Sequence, residues 1–166
     1  MRVGILGGSF NPPHQGHIHI SELALKKLQL TQIWWIPTLQ NPLKKTCKES
    51  YENRLQQCQK ILGKSFKIRL APAKKIYTFQ LLQNLRKKHS NIEFFWIMGA
   101  DNLENFHRWK NFKKIPDLAQ LAIFSREDSL KKITKSRAWN FLKNKNTRVF
   151  FTKNLNISST KLRNDP

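Results

Sequence analysis

At 166 residues the chain is about one domain in length, and an apolar content of 39% with eighteen aromatic residues gives it enough to bury a core. No apolar run approaches the roughly 20 residues that cross a bilayer, and Met1-Arg2-Val3-Gly4 enters a strand pattern rather than a secretory leader. A single domain over residues 1–166 in the cytoplasm is expected. The net charge of +21 invites a nucleic-acid reading, because clustered cations gain affinity by releasing counterions. Yet 22 of the 31 basic residues are Lys, scattered in pairs from Lys26-Lys27 to Lys131-Lys132 without a dense block, and fourteen Asn and fourteen Ile accompany them. That is the mark of compositional drift. No dedicated nucleic-acid binding is expected, and a field that draws in small polyanionic substrates is.

Apolar runs alternate with longer amphipathic stretches along the chain. Strands are predicted at Val3 to Leu6, Ile33 to Ile36, Phe66 to Leu70, Glu93 to Met98, Leu118 to Phe124 and Thr147 to Phe151. Helical patterns lie between them at Gly16 to Leu28, Tyr51 to Leu62, Thr78 to Lys88, a short piece around Asn105 to Ile115, and Ser129 to Phe141. The stretch Thr38 to Ser50 is the longest predicted loop. Strand–helix alternation predicts an α/β fold, a Rossmann-like parallel sheet with helices on both faces. Ligands of such sheets bind beyond the carboxyl ends of the strands, where strand order reverses. Cys47 and Cys58, the only cysteines, are too few and wrongly spaced for a zinc site.

Directly after the first strand comes Gly7-Gly8-Ser9-Phe10-Asn11-Pro12-Pro13-His14-Gln15-Gly16-His17. Glycines let backbone N–H groups approach an anion, and a helix N-terminus adds roughly half a positive charge at the same spot. His14 and His17, three residues apart, share one helix face and can both point at a phosphate. The spacing fits neither the dinucleotide-binding Gly-x-Gly-x-x-Gly nor a Walker loop. Two zinc ligands or two ordinary helix residues are the other readings of the pair, although no third Cys, Asp or Glu ligand sits nearby in sequence.

Gly8-Ser9-Phe10-Asn11-Pro12 followed by His14-Gln15-Gly16-His17 resembles the His-x-Gly-His signature of the nucleotidylyltransferase superfamily, and Ile157-Ser158-Ser159-Thr160-Lys161-Leu162-Arg163 resembles its second signature. Phe95 to Leu103, then Phe106-His107-Arg108-Trp109-Lys110, resembles bacterial nicotinate-nucleotide adenylyltransferase, as do Asn41-Pro42-Leu43-Lys44, Tyr77-Thr78 and Phe124-Ser125-Arg126 in that order. The resemblance implies a nucleotidylyltransferase-type fold and a reaction that joins ATP to nicotinate mononucleotide, giving nicotinate adenine dinucleotide and pyrophosphate. It implies catalytic roles for His14, His17, Lys44 and Arg163, and ATP contacts from Gly8, Ser9, Phe10, Gly16, Gly99, Asp101, Asn102, Ile157, Ser158, Ser159 and Thr160. Asn41, Thr78, Trp109 and Arg126 would receive the mononucleotide. Mg²⁺ is expected on the phosphates and water rather than on protein side chains, because carboxylates are few. Asp101 could serve as a helix N-cap as well. The chain departs from the family at Gln80-Leu81-Leu82, where an acidic residue, a threonine and a leucine are usual, and at Leu43, which stands in place of a frequent histidine. The sequence leaves the oligomeric state open.

Overall fold

The computed structural model describes residues 1–39, 49–73, 77–126 and 130–152, with the backbone alone at 126 and 130–132. Six strands, β1 (Arg2–Gly8), β2 (Gln32–Pro37), β3 (Ile68–Leu70), β4 (Glu93–Gly99), β5 (Gln120–Arg126) and β6 (Thr147–Thr152), form one sheet in the order β3-β2-β1-β4-β5-β6. Every pairing is parallel. Among the described residues seven α-helices connect them: α1 (Gln15–Lys27), α2 (Tyr51–Leu62), α3 (Thr78–Lys88), α4 (Leu103–Phe106), α5 (Ile115–Leu118), α6 (Leu130–Lys135) and α7 (Arg137–Leu142). The order reverses between β1 and β4, so the crevice expected of such a sheet opens beyond their carboxyl ends.

Alternate strand residues feed two cores. Val3, Ile5, Trp34, Ile36, Phe94, Trp96 and Met98 face one side with α3 to α7. Leu6, Ile33, Trp35, Phe95 and Ile97 face the other with α1 and α2. The central strands are covered on both faces, which is why they read as continuous apolar runs rather than alternating ones.

The predicted strands and the bounds of α2 and α3 agree with the structure, and the differences have local causes. Phe66 is 93% exposed and precedes β3, while Leu118 ends α5 before β5 begins. The helical piece predicted around Asn105 to Ile115 is broken by Asn111 in the left-handed region (φ 53), which opens a 3₁₀ turn at Phe112–Lys114. The helix predicted over Ser129 to Phe141 divides into α6 and α7 at Ser136. There the hydroxyl donates to the Leu103 carbonyl at 2.9 Å instead of capping α7, tying the junction to the start of α4. Cys58 is buried and free, and burial pushes its thiol up to about 12. Cys47 lies outside the described residues.

Candidate active site

Strand β1 ends on Gly7-Gly8, but neither glycine supplies the left-handed turn. Phe10 does, at φ 47. Gly7 answers a packing need: a Cβ there would lie 2.2 Å from the ring of Trp96. A Cβ on Gly8 would reach only ordinary contact with Phe10. Gly7 thus has a packing role in addition to the anion approach expected of the two glycines.

The unusual backbone at Phe10 folds its ring under the histidines. Phe10 lies 4.7 Å from the His17 ring and stacks on Trp35 at 4.9 Å. Trp35, fully buried in β2, donates its indole N–H to Ser21 Oγ at 2.8 Å, and that hydroxyl donates to the His17 carbonyl at 2.8 Å. The core thereby fixes the first turn of α1 through satisfied buried polar groups.

His14 is the N-cap of α1 rather than a residue inside it, and His17 is the third helical residue. His14 Nδ1 accepts the Gly16 N–H at 3.1 Å, and the His14 N–H donates to His17 Nδ1 at 3.2 Å. This is a reciprocal capping box built from imidazoles. With Nδ1 accepting, the proton of each neutral ring sits on Nε2, which becomes a donor at the helix N-terminus. Burial lowers the His14 pKa below the ordinary histidine value, which favours the neutral cap.

Gly8 ends β1 and Gly99 ends β4, each two residues beyond the Leu6–Ile97 pair, the last in the β1–β4 register. A Cβ on Gly99 would meet nothing within 4 Å, so a ligand can approach its backbone closely. Beyond it, Asp101 and Asn102 lie in a 3₁₀ turn, Ala100–Asn102, with Gly99 in the cap position. Asp101 is exposed and is not an N-cap, which corrects the sequence reading.

On the other face of the same edge, Trp109 packs against Phe106 at 4.9 Å and meets Trp96 edge-on at 6.1 Å. Thr78 is the first residue of α3, whose N-cap Tyr77 makes no side-chain cap bond. Tyr77 therefore gives the first N–H groups of that helix no side-chain acceptor. Lys110 lies over the Tyr77 ring with Nζ 4.7 Å from its centre, bringing a cation beside Thr78. In sequence Lys110 closes the Phe106 to Lys110 stretch without a role of its own, and the ring contact marks it. Arg126 ends β5 at this edge. Asn41, Lys44, Ile157, Ser158, Ser159, Thr160 and Arg163 lie outside the described residues. Among the described residues no three His, Cys, Asp or Glu side chains gather to hold a metal, and no helix is long and apolar enough to cross a membrane.

The chain matches the cytidylyltransferase-like family over residues 5–165. It is 41% identical to a Pelagibacter ubique protein named probable nicotinate-nucleotide adenylyltransferase, over 98% of this chain and 92% of that one. The chain belongs to the nicotinate-nucleotide adenylyltransferases. A Ruegeria relative with the same name is 42% identical over 76% of this chain and 68% of its own length. The nicotinic acid mononucleotide adenylyltransferase of Plasmodium falciparum, solved with NaAD, shares the fold with a TM-score of 0.77 at 20% identity, covering 98% of this chain and 82% of that one. The family's membership in a nucleotidylyltransferase fold agrees with the six-stranded parallel sheet and its switch point between β1 and β4.

Proposed function

We propose that the chain transfers the adenylyl group of ATP to nicotinate mononucleotide, releasing pyrophosphate and forming nicotinate adenine dinucleotide. The observation that carries this reading is the division of labour at the β1/β4 edge. An imidazole-capped helix N-terminus stands on one face, and a tryptophan beside a second helix N-terminus and a lysine stands on the other. The first suits phosphates and the second suits a ring that bears a carboxylate.

In this reading a phosphate oxygen of the mononucleotide attacks the α-phosphorus of ATP in line. The new P–O bond forms as the bond to the β-phosphate oxygen breaks, and the electron pair leaves with pyrophosphate. No protein nucleophile is required, so the work is positioning and charge neutralisation. His17 Nε2–H donates to the α-phosphate at the positive end of α1, with His14 holding the turn and Lys44 adding charge. Arg163, Ser159 and Thr160 receive the leaving pyrophosphate, with Ile157 and Ser158 beside them. Gly8, Ser9, Phe10, Gly16 and Gly99 line the ATP with backbone, and Asp101 and Asn102 take its sugar. Trp109 stacks on the pyridine ring, while Thr78, Arg126 and Lys110 favour its carboxylate and Asn41 contacts the same nucleotide.

The donors at this edge are imidazoles, amides and cations, with exposed Asp101 as a lone carboxylate among the proposed residues. That set does not build a magnesium cage, so magnesium enters on the triphosphate as part of the substrate. We place this chemistry in the cytoplasm, with residues 1–166 acting as one catalytic domain.

A pyrophosphate-release assay offering ATP with nicotinate mononucleotide, its amide analogue or phosphopantetheine tests the reading. Release with the pyridine mononucleotides alone is expected. Release with phosphopantetheine alone, or with none of the three, overturns it.

A further inference from the structure

Arg54, on α2, is 1% exposed, and no carboxylate neutralises it among the described residues. Its guanidinium instead binds three backbone carbonyls. Nη1 donates to Ser9 O at 2.5 Å and to Thr38 O at 2.9 Å, and Nη2 donates to Leu39 O at 2.8 Å. Burying a cation without a counter-charge is costly, and such groups persist where they hold something in place. Here the carbonyls belong to the segments leaving β1 and β2, which are joined again where the Thr38 N–H donates to Gly8 O at 2.9 Å. Arginine suits this bridge because its planar fork reaches separate acceptors at once, which a lysine ammonium cannot reproduce.

The grip on Ser9 has a directional consequence. The Ser9 carbonyl and the Phe10 N–H belong to one trans peptide plane and point opposite ways. Holding the carbonyl on Arg54 turns the Phe10 N–H away from α2. It also fixes the entry to Phe10, whose left-handed backbone lays its ring under His17. A bulky residue in that region is strained unless its surroundings hold it there.

We propose that Arg54 is a positioning residue for the adenylyl transfer, an inference that rests on the reading above. It sets the Ser9–Phe10 peptide and, through the Phe10 ring, the His17 imidazole. Arg54 makes no claim on substrate itself.

The test compares full-length Arg54→Lys and Arg54→Met with the unmodified chain by steady-state kinetics, thermal unfolding and NMR of ¹³C-labelled histidines without substrate. Arg54→Lys should fold, lose about ten- to hundredfold in kcat, as misplacement by about 1 Å can do, and change either KM by less than about threefold. The His17 ring resonance should move while that of His89, packed against Trp34 on the opposite face of the sheet, stays in place. A kcat within about twofold of the unmodified chain, a loss confined to KM, or an unmoved His17 resonance overturns the proposal. If neither variant folds, Arg54 serves folding alone and the proposal also falls. If the unmodified chain releases no pyrophosphate, adenylyl transfer is the reading that fails, and the His17 resonance still decides the role of Arg54.

Discussion

The rings of His14 and His17 stand 3.9 Å apart, and each accepts a backbone N–H through Nδ1. The same imidazoles that would meet a phosphate also finish the helix that presents them. Structural and catalytic consequences of changing either one are therefore coupled, and the choice of substitution decides which is seen.

His17→Ala removes both the Nε2 donor and the acceptor that holds the His14 N–H. His17→Gln keeps an acceptor at the third helical position, where glutamine completes a capping box. Both should lose about 10²–10³ in turnover, the usual cost of removing one donor from a charge-developing oxygen. Only the alanine variant should also lose stability, by about 0.5–2 kcal/mol. Turnover assays paired with urea unfolding read the two effects separately. Near-normal turnover in folded His17→Gln would remove His17 from the reaction.

His14 supplies a pH dependence of stability. Burial holds its folded pKa below 6.5, while the unfolded chain titrates near that ordinary value. Between the two values the unfolded state binds more protons, so stability is fully present above about pH 6.5 and falls as pH drops toward the folded pKa. His14→Asn keeps an N-cap oxygen and cannot titrate. Urea midpoints measured from about pH 7.5 down to 5 should fall less steeply in the variant. Equal slopes would assign the acid sensitivity to other groups.

Gly7→Ala should destabilise the fold, because the added Cβ meets the Trp96 ring at 2.2 Å and that ring is buried, 2% exposed, between strand and helices. Overpacking of this kind costs about 1–3 kcal/mol. Gly99→Ala, where the added Cβ meets nothing within 4 Å, should leave stability nearly unchanged while weakening ATP binding. Thermal unfolding of the two variants gives the comparison, and equal losses of stability would contradict the assigned difference between the two glycines.

Much of this architecture was legible because its signals are local. Ile33 to Ile36 and Phe94 to Met98 are buried on both faces and read as unbroken apolar strands. Ser50 accepts the Asn53 N–H and Gly63 closes the helix at φ 55, so the bounds of α2 were written in its caps. Other features depend on partners far along the chain. Ser136 reaches Leu103 across 33 residues, and Arg54 reaches Ser9 across 45. In sequence, Arg54 is one charge in an amphipathic helix and reads as solvated. Phe10 is misleading in the opposite way, since glycines beside it offer themselves for the left-handed turn that it adopts.

Substrate choice tests the second face of the site. Trp109 presents a ring, whereas Thr78 at the start of α3 and Lys110 over Tyr77 present positive potential. Nicotinate carries a carboxylate and nicotinamide a neutral amide, so the acid should be preferred. A charged hydrogen bond contributes about 1.5–3 kcal/mol, equivalent to roughly ten- to hundredfold in kcat/KM. Trp109→Ala should weaken both mononucleotides alike, because stacking does not sense the carboxyl group, and ATP affinity should barely change. Lys110→Ala should narrow the preference by only a few-fold, since the side chain is exposed and screened by solvent. Thr78→Val should narrow it further by removing a hydroxyl at the helix start. Steady-state kinetics with both mononucleotides measures each ratio. Equal efficiency with acid and amide in the unmodified chain would remove carboxylate recognition from this pocket and leave adenylyl transfer intact.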